Sequence, residues 1–278
     1  MNHSSRVNLT FFNHLTMKKY WTVFRINWQN SLEYRGPTLI YILGNLLYIV
    51  VLLYLWSSIY RDGGQLGDYS LSELFTYYIL QLMINSLVLS YVSWEIVDQI
   101  REGFFSNFLV KPMDYQHYWF TINLSGKVLE GLLIFAVVGG MSFVLFPYVF
   151  LPSQFLSVVY FFIALVLGLV LAFEFDFFIG LIAFWLVQVR AFKYMLQYII
   201  FFFAGAVLPL DLFPGVLRTF ADWLPFQYLA FFPIQIFMGK EENPLGGFFI
   251  ALCWIIGLYL FSRFVLSRGI RKYEAVGY

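Results

Sequence analysis

Apolar residues fall in long unbroken runs along this chain, not in the alternation of a half-buried strand or the stripe of a surface helix. A helix needs about 20 mostly apolar residues to cross ~30 Å of hydrocarbon. Runs of this kind cover 37–59, 74–97, 128–150, 194–208 (extended somewhat at both ends) and 248–266. The first opens on Gly36-Pro37, and proline suits the first turn of a helix. A further stretch, 155–189, is apolar apart from Glu174, Asp176 and Gln188. At ~1.5 Å per residue it would exceed ~50 Å, too long for a straight crossing. It is either one tilted, broken or protruding helix or two short segments meeting at Glu174-Phe175-Asp176.

The intervening segments have patterns of their own. Residues 1–17 are polar and read as a loose leader, ahead of a single transmembrane domain over 18–278. Within 18–35, Trp21, Phe24, Trp28 and Leu32 fall on one helical stripe with Arg25 at its flank. That pattern predicts an amphipathic helix lying along the membrane surface. From 209 to 247 the chain is punctuated by Pro209, Pro214, Pro225, Pro233 and Pro244. Its apolar stretches are too short to cross, so short re-entrant helices are expected there, before the last span.

Composition agrees with a lipid environment. Apolar residues make up 61% and charged residues 12% of the 278 positions, against roughly 45–50% and about 25% in soluble domains. Mean hydropathy is +0.75. The net charge of +1 gives no hint of a nucleic-acid partner. Its distribution sets the topology. With six spans and both ends in the cytoplasm, only Arg61, Arg218 and Lys240 of the 17 Lys and Arg lie outside, leaving 14 inside. The positive-inside rule thus favours one crossing for 155–189, because a second would invert everything after it.

Little in the chain suggests chemistry. The lone Cys253 sits in an apolar run and reads as a small core residue; the three histidines have no metal-ligand spacing. The first 36 residues lack the roughly 7–15-residue apolar region of a secretory signal. Gly126-Lys127 and Gly239-Lys240 lack the upstream glycine and the hydroxyl residue of a phosphate-binding loop. No catalytic set and no metal site is expected. Glu174 and Asp176 are the only acids deep in an apolar run, where a carboxylate costs about 2.5–3.5 kcal/mol. Two residues apart on a helix, they point roughly 200° away from each other. One is expected to line a translocation path, the other to pair with Lys193, Arg190 or a partner chain, or to act structurally.

After the second span, Arg101-Glu102-Gly103-Phe104-Phe105 leads through Phe108-Leu109 to Lys111-Pro112, a short aromatic helix between a glycine break and a proline stop. Exposed aromatics there suit a groove on another protein, or else an amphipathic loop resting on lipid. This stretch, the basic amphipathic helix, the run Leu208-Pro209-Leu210-Asp211-Leu212-Phe213-Pro214 with Leu224-Pro225-Phe226, and the tail Arg271–Gly277 together resemble the permease subunits of ABC-2 type ABC transporters. Gln99 departs from that family's acidic-arginine-acidic triplet. The tail is similar to endings in the subgroup with paired, non-identical permeases.

The resemblance implies an exporter subunit in the bacterial inner (plasma) membrane, partnered by a second permease, with a heterodimer favoured. It also implies a separate ATP-binding subunit, which holds ATP and magnesium while this chain holds no cofactor. Glu102, Gly103, Phe105, Phe108, Leu109 and Lys111 would then face the ATPase, and Pro209, Asp211, Pro214 and Pro225 would belong to an external gate. Alternatives from the residues alone are an ion- or proton-coupled carrier or channel using Glu174 or Asp176, and a membrane scaffold.

Overall fold

A computed structural model describes residues 4–33, 35–64, 66–144, 148–152, 154–186 and 189–273. The described chain is almost wholly helical. Its helices are α1 (Ser4–Glu33), α2 (Arg35–Arg61), α3 (Leu71–Leu87), α4 (Val92–Arg101), α5 (Phe105–Leu109), α6 (Tyr115–Val144), α7 (Phe155–Leu181), α8 (Val189–Phe203), α9 (Gly215–Trp223), α10 (Phe231–Phe237) and α11 (Pro244–Lys272). The amphipathic segment expected over 18–35 is continuous, as helix, with the residues before it back to Ser4.

Local chemistry fixes several ends. Ser70 and Glu73 form a reciprocal capping box at the start of α3. Asn243 caps α11, accepting from the Gly246 N–H, with Pro244 in the first turn where its missing donor is harmless. Gly205, at φ +81°, turns the chain after α8 beneath the Tyr77 hydroxyl, which donates to the Gly205 carbonyl.

Among the described residues, five stretches are long and apolar enough to cross a membrane: Arg35–Arg61, Leu71–Arg101, Tyr115–Phe143, Phe155–Phe184 and Pro244–Lys272. Of the 155–189 run, Phe155–Leu181 is one helix, extended by a 3-10 turn at Ile182–Phe184, which offers one candidate crossing. The expected crossing at 194–208 takes another form. It falls on α8, whose 15 residues span only about 22 Å. Yet α7 and α11 run parallel: Tyr160 meets Phe248 near one end and Phe178 meets Phe261 near the other. The chain must therefore travel back between them. That return leg is shared by α8, a 3-10 turn at Leu210–Leu212, α9, a second at Pro225–Leu229, and α10.

Two apolar cores follow from this packing. The larger gathers α2, α3, α7, α10 and the first half of α11, with Tyr77, Phe161 and Ile234 fully enclosed. The smaller lies at the α5 end, built from α4, α5, the start of α6 and the end of α7 around Phe105, Trp119 and Phe177. Cys253, expected in the core, is exposed on α11, on a face of that helix left uncovered by the described residues.

Candidate functional site

The second crossing is broken between Val88 and Tyr91, although no proline or glycine lies there. Val88 still donates to the Ile84 carbonyl at 2.8 Å, and α4 then restarts at Val92. Restarting a helix leaves its first N–H groups without intrahelical acceptors. Asp176 of α7 supplies one: the Ser93 N–H donates to its Oδ2 at 2.9 Å, and the Ser93 hydroxyl donates to Oδ1. A carboxylate at a helix N-terminus also meets the favourable end of its dipole. Gly180, one turn along α7, lets α4 come close, since a Cβ there would meet Ser93 Cα at 3.2 Å.

Lys193 of α8 completes the group. Its Nζ lies 3.4 Å from Asp176 Oδ1, donates to the Ser93 hydroxyl and sits 4.1 Å from the centre of the Trp94 ring. Both charged residues are buried. They form part of the wall of a cavity of about 290 Å³ enclosed by α2, α3, α7, α8 and the Pro225–Leu229 turn. Asn45, Gln81, Asn85 and Gln197 bring carboxamides to that wall, and Tyr41 and Tyr198 bring rings. Gln81 donates to Asn85 Oδ1 at 3.1 Å, while its own Oε1 has no partner among the described residues. Glu174 is not brought here. It accepts from Gln116 Nε2 at 2.6 Å on the α6 side, as the angular spacing of the two acids requires.

The loop between α4 and α6 sorts its residues differently from the sequence reading. Phe105 is fully buried and Phe108 nearly so, hence neither can face a partner, contrary to expectation. Phe105 stacks edge-on against Tyr115, Phe184 and Tyr273 at centroid distances of 5.0, 5.3 and 5.1 Å. Phe108 lies 4.7 Å from Tyr115. These aromatics pin α5 to α6, α7 and α11, and Gly103, at φ +83°, supplies the turn that aims it. The outward face consists of Phe104, Leu109 and Val110, 56%, 48% and 84% exposed, with Arg101, Glu102, Lys111 and Pro112 also exposed. Val110, not among the residues expected to face a partner, is the most exposed of the three apolar ones. Asp114 ties the loop to Arg263 of α11. Burial raises its pKa, but the Arg263 hydrogen bond and the His117 N–H outweigh this and hold it below the usual value.

At the opposite end, Asp211 accepts from the Tyr69 hydroxyl at 2.7 Å and from Gln235 Nε2 at 3.2 Å, joining the α2–α3 loop to the proline-punctuated segment. Burial, then the Asp211 bond, pushes the Tyr69 hydroxyl far above its ordinary pKa, so it remains a donor. Lys240 bonds Glu73 at 2.8 Å and covers the Tyr69 ring at 3.8 Å. Pro209 and Pro225 are buried, and Pro214 is exposed ahead of α9.

α1 seats on α6 through polar groups. Tyr20 accepts from the Asp114 N–H, and Asn27 donates to Ser125 Oγ at 2.6 Å, so the two helices run in the same direction there. Trp21 and Arg25 are exposed, Phe24 and Trp28 half-buried, and Trp21 stacks on Phe24 at 5.4 Å. Of the resembling tail, residues 274–277 lie outside the described residues. Among the described residues no cluster could hold a metal ion. A family model described as an ABC-2 family transporter protein matches residues 46–277. No curated protein matches the chain.

Proposed function

The chain belongs to the ABC-2 transporter family and is a multi-pass membrane permease; on that premise we propose that it is the export permease of a complex whose ATPase is a separate subunit. It sits in the bacterial inner (plasma) membrane with both ends in the cytoplasm, paired with a second, preferably non-identical permease. ATP and Mg²⁺ belong to the ATPase, since this chain has no phosphate-binding loop. The observation that carries the reading is the division of labour at α5. Phe105 and Phe108 anchor it, while Phe104, Leu109 and Val110 stand exposed as an apolar plug for a groove on a partner.

A push on that plug reaches α6, α7 and α11 directly through the aromatic cluster. From α7 it reaches Asp176 and the cavity, which we assign to the translocation path. Asp211 with Tyr69 and Gln235 belongs to the gate at the other end. The carrier alternative is less well supported, because the cavity's carboxylate is already paired with Lys193.

The test is affinity purification from native membranes in mild detergent. The wild type should bring down a P-loop ATPase chain, and Leu109→Asp and Val110→Asp should lose it while melting as the wild type does. Retention of the ATPase by both variants, or uptake and release driven by an ion gradient without ATP, would sink the proposal.

A further inference from the structure

A second polar pocket, of about 310 Å³, lies between α1, α2, α4 and α6 and shares only Tyr91 with the lining of the cavity at Asp176. Its lining includes Asn27 and Asn30 of α1, Glu95 of α4, and Asn123, Lys127 and Glu130 of α6. Lys127 is spoken for: it bonds Glu130 Oε2 at 2.6 Å and the Ser86 carbonyl at 2.7 Å. Glu95, exposed at the pocket mouth, makes no ion pair among the described residues, so these three charged groups leave one negative charge in excess. Asn123 is 7% exposed, and its amide nitrogen has no acceptor among the described residues. The pocket therefore holds one unmet demand, for an acceptor oxygen at Asn123, beside open carboxylate oxygens at its mouth that a cation can pair with. Beside it, Leu32, Leu39, Leu124 and Val128 of α1, α2 and α6 are exposed. In a membrane protein such side chains meet acyl chains, so the occupant reaches this place through lipid.

We propose that the pocket binds the headgroup of a phospholipid bearing a primary ammonium, an ethanolamine phosphodiester. The ammonium brings three N–H donors and the positive charge that Glu95 and the free oxygen of Glu130 call for. The phosphodiester oxygens accept from the Asn123 amide. A choline headgroup brings the same charge and phosphate but no N–H, and a glycerol headgroup leaves the carboxylates uncompensated and adds another negative charge.

The full-length chain, purified in mild detergent, is titrated by native mass spectrometry with ethanolamine, choline and glycerol phospholipids of identical acyl chains. The ethanolamine lipid should bind about tenfold more tightly than the choline lipid, the scale of a charge-assisted hydrogen bond. Glu95→Gln should erase that preference, and Asn123→Leu should weaken both lipids alike. Melting in choline lipid alone, unchanged from the wild type, certifies each variant's fold. Equal binding of the two lipids by the wild type overturns the proposal without any variant, as does a preference that survives Glu95→Gln. Displacement of the lipid by an equal concentration of free O-phosphoethanolamine overturns the lipid as the source.

Discussion

Four donors converge on one carboxylate: the Ser90 hydroxyl, the Ser93 N–H, the Ser93 hydroxyl and the Lys193 ammonium all address Asp176. Removing one member of a buried ion pair leaves the other charged and unsolvated, which typically costs about 3–5 kcal/mol. Lys193→Met should therefore lower stability by about that much in detergent melts, and adding Asp176→Asn should recover part of the loss. A silent Lys193→Met would mean that the pair carries no stability. The two acids should also separate in transport assays. Asp176→Asn alters a cavity wall and should change cargo flux, whereas Glu174→Gln, which lies off that wall on a hydrogen bond to Gln116, should not. The divergence of these acids was legible from their spacing alone. What Asp176 does was not, because it serves a helix break at Val88–Tyr91 that no proline or glycine announces. Gln81 and Asn85, one turn apart in an apolar run, were the available signal for the cavity.

The short α5 shows how an element can be found and its faces still be misread. Gly103 and Pro112 bracketed it correctly, but five residues are too few for a periodic pattern to tell inside from outside. Two of its anchors, Phe184 and Tyr273, come from far along the chain and join the nearby Tyr115, so burial there is decided by tertiary contacts. Phe105→Ala should cost about 3–5 kcal/mol, as large-to-small changes in aromatic cores do. Phe104→Ala should leave stability within about 0.5 kcal/mol, as at ordinary surface sites, while weakening capture of the ATPase. Melting temperature and co-purification, measured on both variants, check this division. α1 is the reverse case. Its apolar stripe was visible, yet it docks on α6 through Tyr20 and Asn27, groups that a hydrophobic pattern passes over.

At the scale of the molecule, runs of apolar residues located the long candidate crossings, and most of 155–189 forms one helix, Phe155–Leu181. The return leg was harder to read, since it is divided among short helices whose lengths individually match no span. Its direction follows from the parallel packing of α7 and α11, a relation that no local window contains. The proposed sidedness is open to a direct check. In a Cys253→Ser background, Asp62→Cys and Asp222→Cys should react with a membrane-impermeant thiol reagent on intact cells, and Val110→Cys only after lysis. The opposite pattern would invert the topology. The Asp176 group also fixes an order of events during synthesis. Ser93 precedes Asp176 by 83 residues and Lys193 by 100. Chains are made from the N-terminus at about 5–20 residues per second. The broken second crossing must therefore wait several seconds, uncapped, for its carboxylate. That carboxylate then waits for a lysine delivered by α8, so the newborn bundle cannot lock before its return leg has been made.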